Sequence, residues 1–164
     1  MTEQQQTAPA AATVTTPTDR EIHIERWFNA PRERVFATMI DPKLIPEWWG
    51  PDGVTTIVDQ MDVRPGGAWR FVMRNSDGTE TAFRGTYREI AAPELIVQTF
   101  EWEGMPGHIS VETARFDEAD GRTKVTTTAL FHTQEERDGM LASGMERGMN
   151  EMHRRLDDLL ARGA

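Results

Sequence analysis

Apolar and polar residues alternate along much of the chain, a pattern typical of strands that bury one face. Seven stretches show it, at residues 20–28, 54–63, 68–75, 79–90, 94–102, 108–116 and 123–131. Short gaps rich in Gly, Pro, Asp and Asn separate nearly all of the last six stretches. Because parallel strands need long crossovers, these gaps predict antiparallel hairpins.

Helical periodicity replaces the alternation in three places. Pro31 and the apolar stripe that follows it predict a short helix, and Asp41 opens a second one. Over residues 134–162 apolar side chains recur at helical spacing and no proline interrupts them. This last segment predicts one long helix, with Thr133 and Glu136 as a capping box.

The order of these elements predicts one α+β domain. A curved antiparallel sheet of seven strands has an apolar face to cover, and only the long C-terminal helix is large enough to cover it. We therefore expect a helix-grip fold, with the sheet wrapped around that helix and two short helices after strand one. Residues 1–18 offer little to bury and are predicted to be a disordered tail ahead of a domain at residues 19–164.

Composition excludes several functional classes. The formal net charge is −9, and such a surface repels nucleic acids, so no nucleic-acid partner is expected. No apolar run is long enough to span a membrane, and the N-terminus does not resemble a secretion signal. The chain has no cysteine, which fits a cytoplasmic location and equally fits a chain that has no use for cysteine.

Residues with catalytic or metal-binding potential are scattered. The four histidines, at positions 23, 108, 132 and 153, share no metal-ligand spacing with a carboxylate. None of the three serines lies in a nucleophile elbow. We therefore predict no metal, no cofactor and no defined catalytic residue.

Two patterns suggest an internal ligand site. Three glycines lie at positions 139, 144 and 148 of the predicted long helix, although each costs about 1 kcal/mol relative to alanine. Methionines beside them would give an adaptable apolar surface. Ordinary core packing explains this pattern equally well, so both interpretations stay open.

The second pattern consists of polar residues at strand positions that the alternation assigns to the apolar face. Arg26, Gln98 and Glu112 alternate onto faces that are otherwise apolar. A buried Arg and Glu could pair with each other or orient a ligand in a cavity, whereas a β-bulge would turn them outward. Aromatic residues are dense on the neighbouring strands. The predicted ligand-binding residues are Arg26, Trp49, Trp69, Phe71, Met73, Phe83, Tyr87, Gln98, Phe100, Trp102, Glu112, Met145, Met149 and Met152.

Several motifs resemble those of a known family over residues 19–162. The family is that of the activator of heat-shock-protein-90 ATPase homologues, within the START-like (birch-pollen-allergen-like, SRPBCC) superfamily. The motifs are Arg26-x-Phe28-x-Ala30-Pro31-x-x-x-Val35-Phe36, Trp48-Trp49-Gly50-Pro51, Arg64-Pro65-Gly66-Gly67 with Trp69-Arg70-Phe71, Gly85-x-Tyr87-x-Glu89-Ile90, and Gly144-Met145-x-x-Gly148-Met149-Asn150 followed by Leu156-x-x-Leu159.

The resemblance implies a deep hydrophobic cavity between sheet and helix. Relatives bind lipids, steroids, polyketides or antibiotics, so the first hypothesis is binding of a small hydrophobic or aromatic ligand, by a monomer or homodimer. The second is a cyclase or hydrolase with Glu112 or His108 as general acid or base. The third is a stress-response domain that stimulates a chaperone ATPase. It ranks last because eukaryotic members carry a further large domain where this chain has a short tail.

Overall fold

The computed structural model describes residues 12–163, which form one antiparallel sheet and four helices. Its sheet order is β1-β2-β8-β7-β6-β5-β4-β3. In chain order the elements are β1 (Thr13–Thr15), β2 (Glu21–Phe28), α1 (Arg32–Met39), α2 (Ile45–Trp48), β3 (Thr55–Met61), β4 (Ala68–Arg74), β5 (Glu80–Ala91), β6 (Leu95–Trp102), β7 (Ile109–Ala119), β8 (Arg122–Leu130), α3 (Gln134–Ala142) and α4 (Met145–Ala161).

The sheet confirms the predicted helix-grip architecture, with one strand more than expected. Strands β3 to β8 pair in sequence as antiparallel neighbours, and β2 returns to pair with β8. The additional strand is β1, in which Val14 lies opposite Ile24 of β2. The predicted tail was therefore wrong for residues 13–15, because edge pairing with β2 orders them. Residues 1–11 lie outside the described residues, so for them the prediction remains untested.

The C-terminal helix was predicted as one element and is two. Its capping box is confirmed, since the Thr133 side chain accepts from the Glu136 backbone while the Glu136 side chain binds the Thr133 backbone. The helix then breaks at Gly144, whose φ of +83° is left-handed. Glycine adopts this conformation without the steric cost that a Cβ brings. The apolar periodicity continues across the break and so conceals it in the sequence.

The core lies in two clusters beneath the helices. The larger one joins α1, α2 and the second half of α4 to the sheet. Its fully buried members include Phe28, Val35, Phe36, Trp48, Trp69, Phe71, Ile96, Phe116, Val125, Leu156, Leu159 and Leu160. The smaller one packs Ile22, Ala129 and Phe131 against Met140 and Leu141 of α3. The buried side chains of α4 all lie in its second half, whereas Met145 and Met149 in its first two turns are partly buried.

Two arginines on the opposite, convex face of the sheet are paired with carboxylates. Arg70 makes two bonds to the Glu103 carboxylate, at 2.7 and 2.9 Å, and lies 3.4 Å from Asp59. Arg84 donates to Glu101 at 3.0 Å. The Arg70 and Arg84 guanidinium groups hold the pKa values of Glu103 and Glu101, respectively, below their usual range. Cross-strand pairs of this kind stabilise a sheet modestly and keep its outer face polar.

At Gly85 the sheet leaves no room for a side chain. A Cβ there would lie 2.0 Å from the Thr99 carbonyl oxygen and 2.6 Å from Trp69 Nε1. Neither atom can move far, because one belongs to the β6 backbone and the other to a buried ring. Glycine thus allows Trp69 to lie flat against β5.

We expect Gly85→Ala to lower the free energy of unfolding by roughly 1–3 kcal/mol through overpacking. Gly139→Ala is the matched control, since a Cβ at that helical position meets nothing within 4 Å. Removing a helical glycine should raise stability by about 1 kcal/mol. Urea denaturation measures both, and a Gly85→Ala protein as stable as the wild type would contradict the close approach.

Candidate functional site

Three polar side chains form a row across the concave face of the sheet. Tyr87 of β5 lies opposite Gln98 of β6, and Gln98 lies opposite Glu112 of β7. Residues directly opposite each other on neighbouring strands share a face, and strands lie about 4.8 Å apart, so this polar row spans roughly 10 Å. It lies on the same face as Phe116, two positions along β7 from Ala114. The predicted alternation of Gln98 and Glu112 onto the apolar face is confirmed.

No member of the polar row has a side-chain partner within residues 12–163, where neither a hydrogen bond nor an ion pair engages it. This separates the row from the convex face, where Arg70, Arg84 and their carboxylates are joined. None of the polar atoms of these three side chains is both buried and unpartnered, so the row lacks protein partners without being sealed from solvent.

Glu112 is the most unusual member of the row. Burial raises the pKa of its carboxyl to about 7, and no neighbouring charge contributes to the shift. Burial also raises the pKa of the Tyr87 hydroxyl. Yet the Glu112 side chain is only half-buried and not sealed into the core. Its remaining accessible surface lies on the concave side, since the register points it there.

An aromatic cluster lies beside the polar row. Trp49 follows α2 and contacts Phe71 and Phe83 edge-on, with ring centroids 5.1 and 5.5 Å apart. Phe83 stacks on Phe100 at 5.3 Å, and Trp69 contacts Phe71 and Phe100. Five of the predicted ligand-binding residues are thus brought together. Trp69 and Phe71 are buried core, whereas Trp49, Phe83 and Phe100 keep accessible surface.

Arg26 faces inward as predicted, but its partner is not Glu112. Its side chain is 2% exposed, and it forms a 2.7 Å ion pair with Asp157 of α4. It also donates to the Trp27 carbonyl and lies 4.8 Å above the Phe28 ring. Of the alternatives that the sequence left open, the one in which Arg26 pairs with Glu112 is therefore wrong, because α4 brings a carboxylate closer. In the sequence Asp157 could not be distinguished from the other polar residues of the helix.

We call the inward-facing residues Glu112, Arg26, Asp157 and His153 the inner wall. His153 was not predicted from the sequence to be a site residue. Its ring meets Phe28 edge-on at 5.5 Å, and its buried Nδ1 has no partner among the described residues. Burial, together with the positive charge of Arg26, lowers its pKa to about 4, so the ring is neutral near pH 7. A signal existed, because His153 follows Met149 by four residues and precedes Leu156 by three.

The other predicted residues lie around this wall. Met145, Met149 and Met152 follow one face of α4 and are partly buried, and Met73 lies partly buried on β4. Trp102 is on the inner face of β6 opposite Phe83, but it is 43% exposed at the end of the strand. His108, the alternative acid or base, lies in the exposed β6–β7 loop and bonds Glu136 of α3.

Residues 29–161 match the family model described as Activator of Hsp90 ATPase homolog 1-like protein. The chain belongs to this family. The match runs from the end of β2 through α4 and so includes the polar row and the aromatic cluster. The AHSA1 family resemblance found in the sequence motifs is thereby confirmed. Members of this family have a START-like fold, which is the fold of a general ligand-binding domain.

Solved structures agree on this AHSA1 fold. A Rhodobacter sphaeroides protein is 23% identical, with a TM-score of 0.88 over 93% of this chain and 99% of its own. A protein from Arthrobacter aurescens is 25% identical, with a TM-score of 0.83 over 92% and 91%. The AHSA1 protein from Silicibacter pomeroyi is 23% identical, with a TM-score of 0.72 over 88% and 99%.

An uncharacterized protein of Schizosaccharomyces pombe is also similar in sequence. It is 31% identical over 97 residues, which is 58% of this chain. The aligned part makes up 25% of the fission yeast protein, so the chain spans about a quarter of that relative's length.

Other sites receive less support from the described part of the AHSA1 domain. A shallow groove on the outer face of α4 is lined by Glu146, Arg147, Asn150, Glu151 and Arg154, but its charges pair locally, as in Arg147–Glu151 and Arg154–Asp52. No group of three or more His, Asp or Glu among residues 12–163 is placed to hold a metal. No helix in that range has the length and apolar character to cross a bilayer.

The two shifted groups on the inner wall predict opposing pH dependences. Between pH 4.5 and 7 the folded protein keeps the Glu112 proton that the unfolded chain releases, so this group makes stability fall as pH rises. Between pH 4 and 6.5 the unfolded chain protonates His153 while the folded protein does not, so that group makes stability rise with pH.

We therefore expect Glu112→Gln to be increasingly more stable than wild type as pH rises, from no difference near pH 4.5 to at most about 3 kcal/mol at pH 8. His153→Gln should gain on wild type in the other direction, as pH falls from 6.5 to 4. Urea denaturation across this range measures both differences. A stability difference for Glu112→Gln that is constant with pH would contradict the burial of the carboxyl.

Proposed function

We propose that this AHSA1 family member binds a small hydrophobic or aromatic molecule in a hollow between the concave sheet and α4. The observation that carries the proposal is Glu112. Its carboxyl is desolvated enough to have a pKa near 7, and yet it is half-buried and unpartnered among the described residues. This combination of desolvation and remaining accessibility supports an internal space beside Glu112.

The walls of this space support an apolar ligand. Phe83, Phe100 and Trp49 present rings with accessible surface on the β4–β6 side. Met149 and Met152 face inward from α4 and remain partly buried, although a solid core would seal them. Ligand sites are mostly apolar with a few convergent polar groups, and this combination of aromatic cluster, methionines and polar row has that composition.

The backbone above the space supports the same proposal. Gly148 lies in the first half of α4, and a Cβ there would meet only the side chain of Pro51, at 3.9 Å. The helix is therefore loosely packed on the side of Gly148, which faces the loop after α2. Its second half, by contrast, is anchored by Leu156, Leu159 and Leu160. The anchored half holds the fold, and the first half leaves room for a ligand.

A variant that fills the space tests the proposal. Ala114 lies on the inner face between Glu112 and Phe116 and keeps accessible surface, so Ala114→Phe would occupy ligand volume. We expect the neutral probe N-phenyl-1-naphthylamine to bind wild type saturably with a rise in fluorescence. Ala114→Phe should weaken its affinity at least tenfold, equivalent to about 1.4 kcal/mol.

The matched control is Thr113→Phe, which places the same side chain on the convex face of the same strand. It should bind the probe like wild type. Thermal unfolding of each variant establishes that the fold persists. Fluorescence that never saturates, or equal probe affinity in wild type and Ala114→Phe, would refute binding at this position.

A second candidate function, of the cyclase or hydrolase type, follows from the same carboxyl. An acid with a pKa near 7 in an enclosed site suits general acid–base catalysis at neutral pH. If the domain hydrolyses an aromatic ester such as 2-naphthyl acetate, the rate should change with pH around 7 and be lost in Glu112→Gln. Turnover that survives this substitution would remove Glu112 from such a mechanism.

A further inference from the structure

The inner wall contains an ionic imbalance that a ligand can correct. Arg26 forms an ion pair with Asp157 at 2.7 Å, although its buried Nε has no partner among the described residues. His153 is neutral near pH 7, because burial and the charge of Arg26 lower its pKa to about 4. Glu112 is left with no cation and no hydrogen-bond donor among residues 12–163. A desolvated carboxylate without a partner is costly, and a cation that reached it would remove the cost.

The surroundings of Glu112 define what else the ligand must carry. Gln98 lies beside it in the polar row, and Phe100 follows Gln98 on the same face two residues along β6. Two residues of strand cover about 7 Å. A ligand linker of a few atoms could therefore span the distance from the carboxyl to the nearest ring of the aromatic cluster. An aromatic body over Phe100 and Phe83 would place a substituent of two or three atoms at Glu112.

We infer that the ligand is an aromatic amine-bearing molecule, with its ring system on the aromatic cluster and its protonated amine against Glu112. This inference rests on the proposed binding function and names the ligand class. The ammonium group donates to the carboxylate, and Gln98 offers a carbonyl oxygen to one of its two remaining protons. Tyr87, at the far end of the polar row, can bond a polar substituent on the ring system.

The pH dependence of such binding belongs to Glu112. The other titratable groups that the structure places on the inward side of the surrounding elements are Tyr87 of β5, Arg26 of β2, and His153 and Asp157 of α4. Arg26 and Asp157 form an ion pair, the Tyr87 pKa is raised from its usual value, and the His153 pKa is about 4. Between pH 5.5 and 8 the Glu112 carboxyl, with a pKa near 7, changes charge.

A matched pair of probes tests the inference. The amine is 2-(1-naphthyl)ethylamine and its neutral counterpart is 2-(1-naphthyl)ethanol, and each competes with N-phenyl-1-naphthylamine for the full-length protein. At pH 8 we expect the amine to bind wild type at least tenfold more tightly than the alcohol. At pH 5.5 this preference should shrink several-fold, because the carboxyl is then protonated before the amine arrives.

Two variants locate the preference. Glu112→Gln removes the charge with little change of shape and should bind both probes equally. Glu89→Gln makes the same chemical change at an exposed carboxylate of β5 and should keep the preference. The pH comparison on wild type needs no variant, so it decides the matter even if Glu112→Gln folds poorly.

The outcomes separate the two proposals. If N-phenyl-1-naphthylamine does not bind saturably, the binding function itself fails and the ligand class fails with it. If it binds but wild type does not prefer the amine, or Glu112→Gln keeps the preference, only the amine is overturned. In that case the site takes a neutral aromatic ligand.

Discussion

The ion pair between Arg26 and Asp157 fixes how the C-terminal helix lies on the sheet. A guanidinium that is 2% exposed cannot be left alone, since removing the partner of a buried charge costs several kcal/mol. Asp157 stands in the same helical turns as Leu156, Leu159 and Leu160, so the pair and the leucines hold one half of α4 together. The other half carries no buried side chain. The candidate site is the result of this unequal anchoring.

The two faces of the sheet differ in whether their charged side chains have partners, and Glu112 is the exception that this comparison identifies. On the convex face, where water would tolerate loose charges, Arg70 and Arg84 have carboxylate partners. On the concave face, where desolvation is costly, Glu112 has none among the described residues. A leucine or methionine there would make the fold more stable. A residue that violates the local rules of stability at such a position is expected at a functional site.

Period-two alternation was sufficient to predict seven strands and the inward faces of Arg26, Gln98 and Glu112, because the side-chain period of a strand is independent of its partners. It could not predict β1, whose three residues become a strand only by pairing with β2. The break at Gly144 was also missed, because the apolar spacing of α3 and α4 stays in phase across it. Asp157 and His153 were missed as well. His153 lies at helical spacing from Met149 and Leu156, a signal that went unused, whereas for Asp157 only the packing shows that its side chain points inward.

The glycine at position 144 has a consequence for how this scaffold can diversify. Because the chain reverses its backbone handedness there, the rotation of α4 about its own axis does not depend on the length or pitch of α3. Insertions or deletions in α3 and in the loop before it can then accumulate without rotating Met149 or Asp157 out of place. In a single continuous helix, each added residue would turn every later side chain by about 100°. The interruption therefore allows α3 to change in length during evolution while the inward-facing side chains of α4 keep their positions.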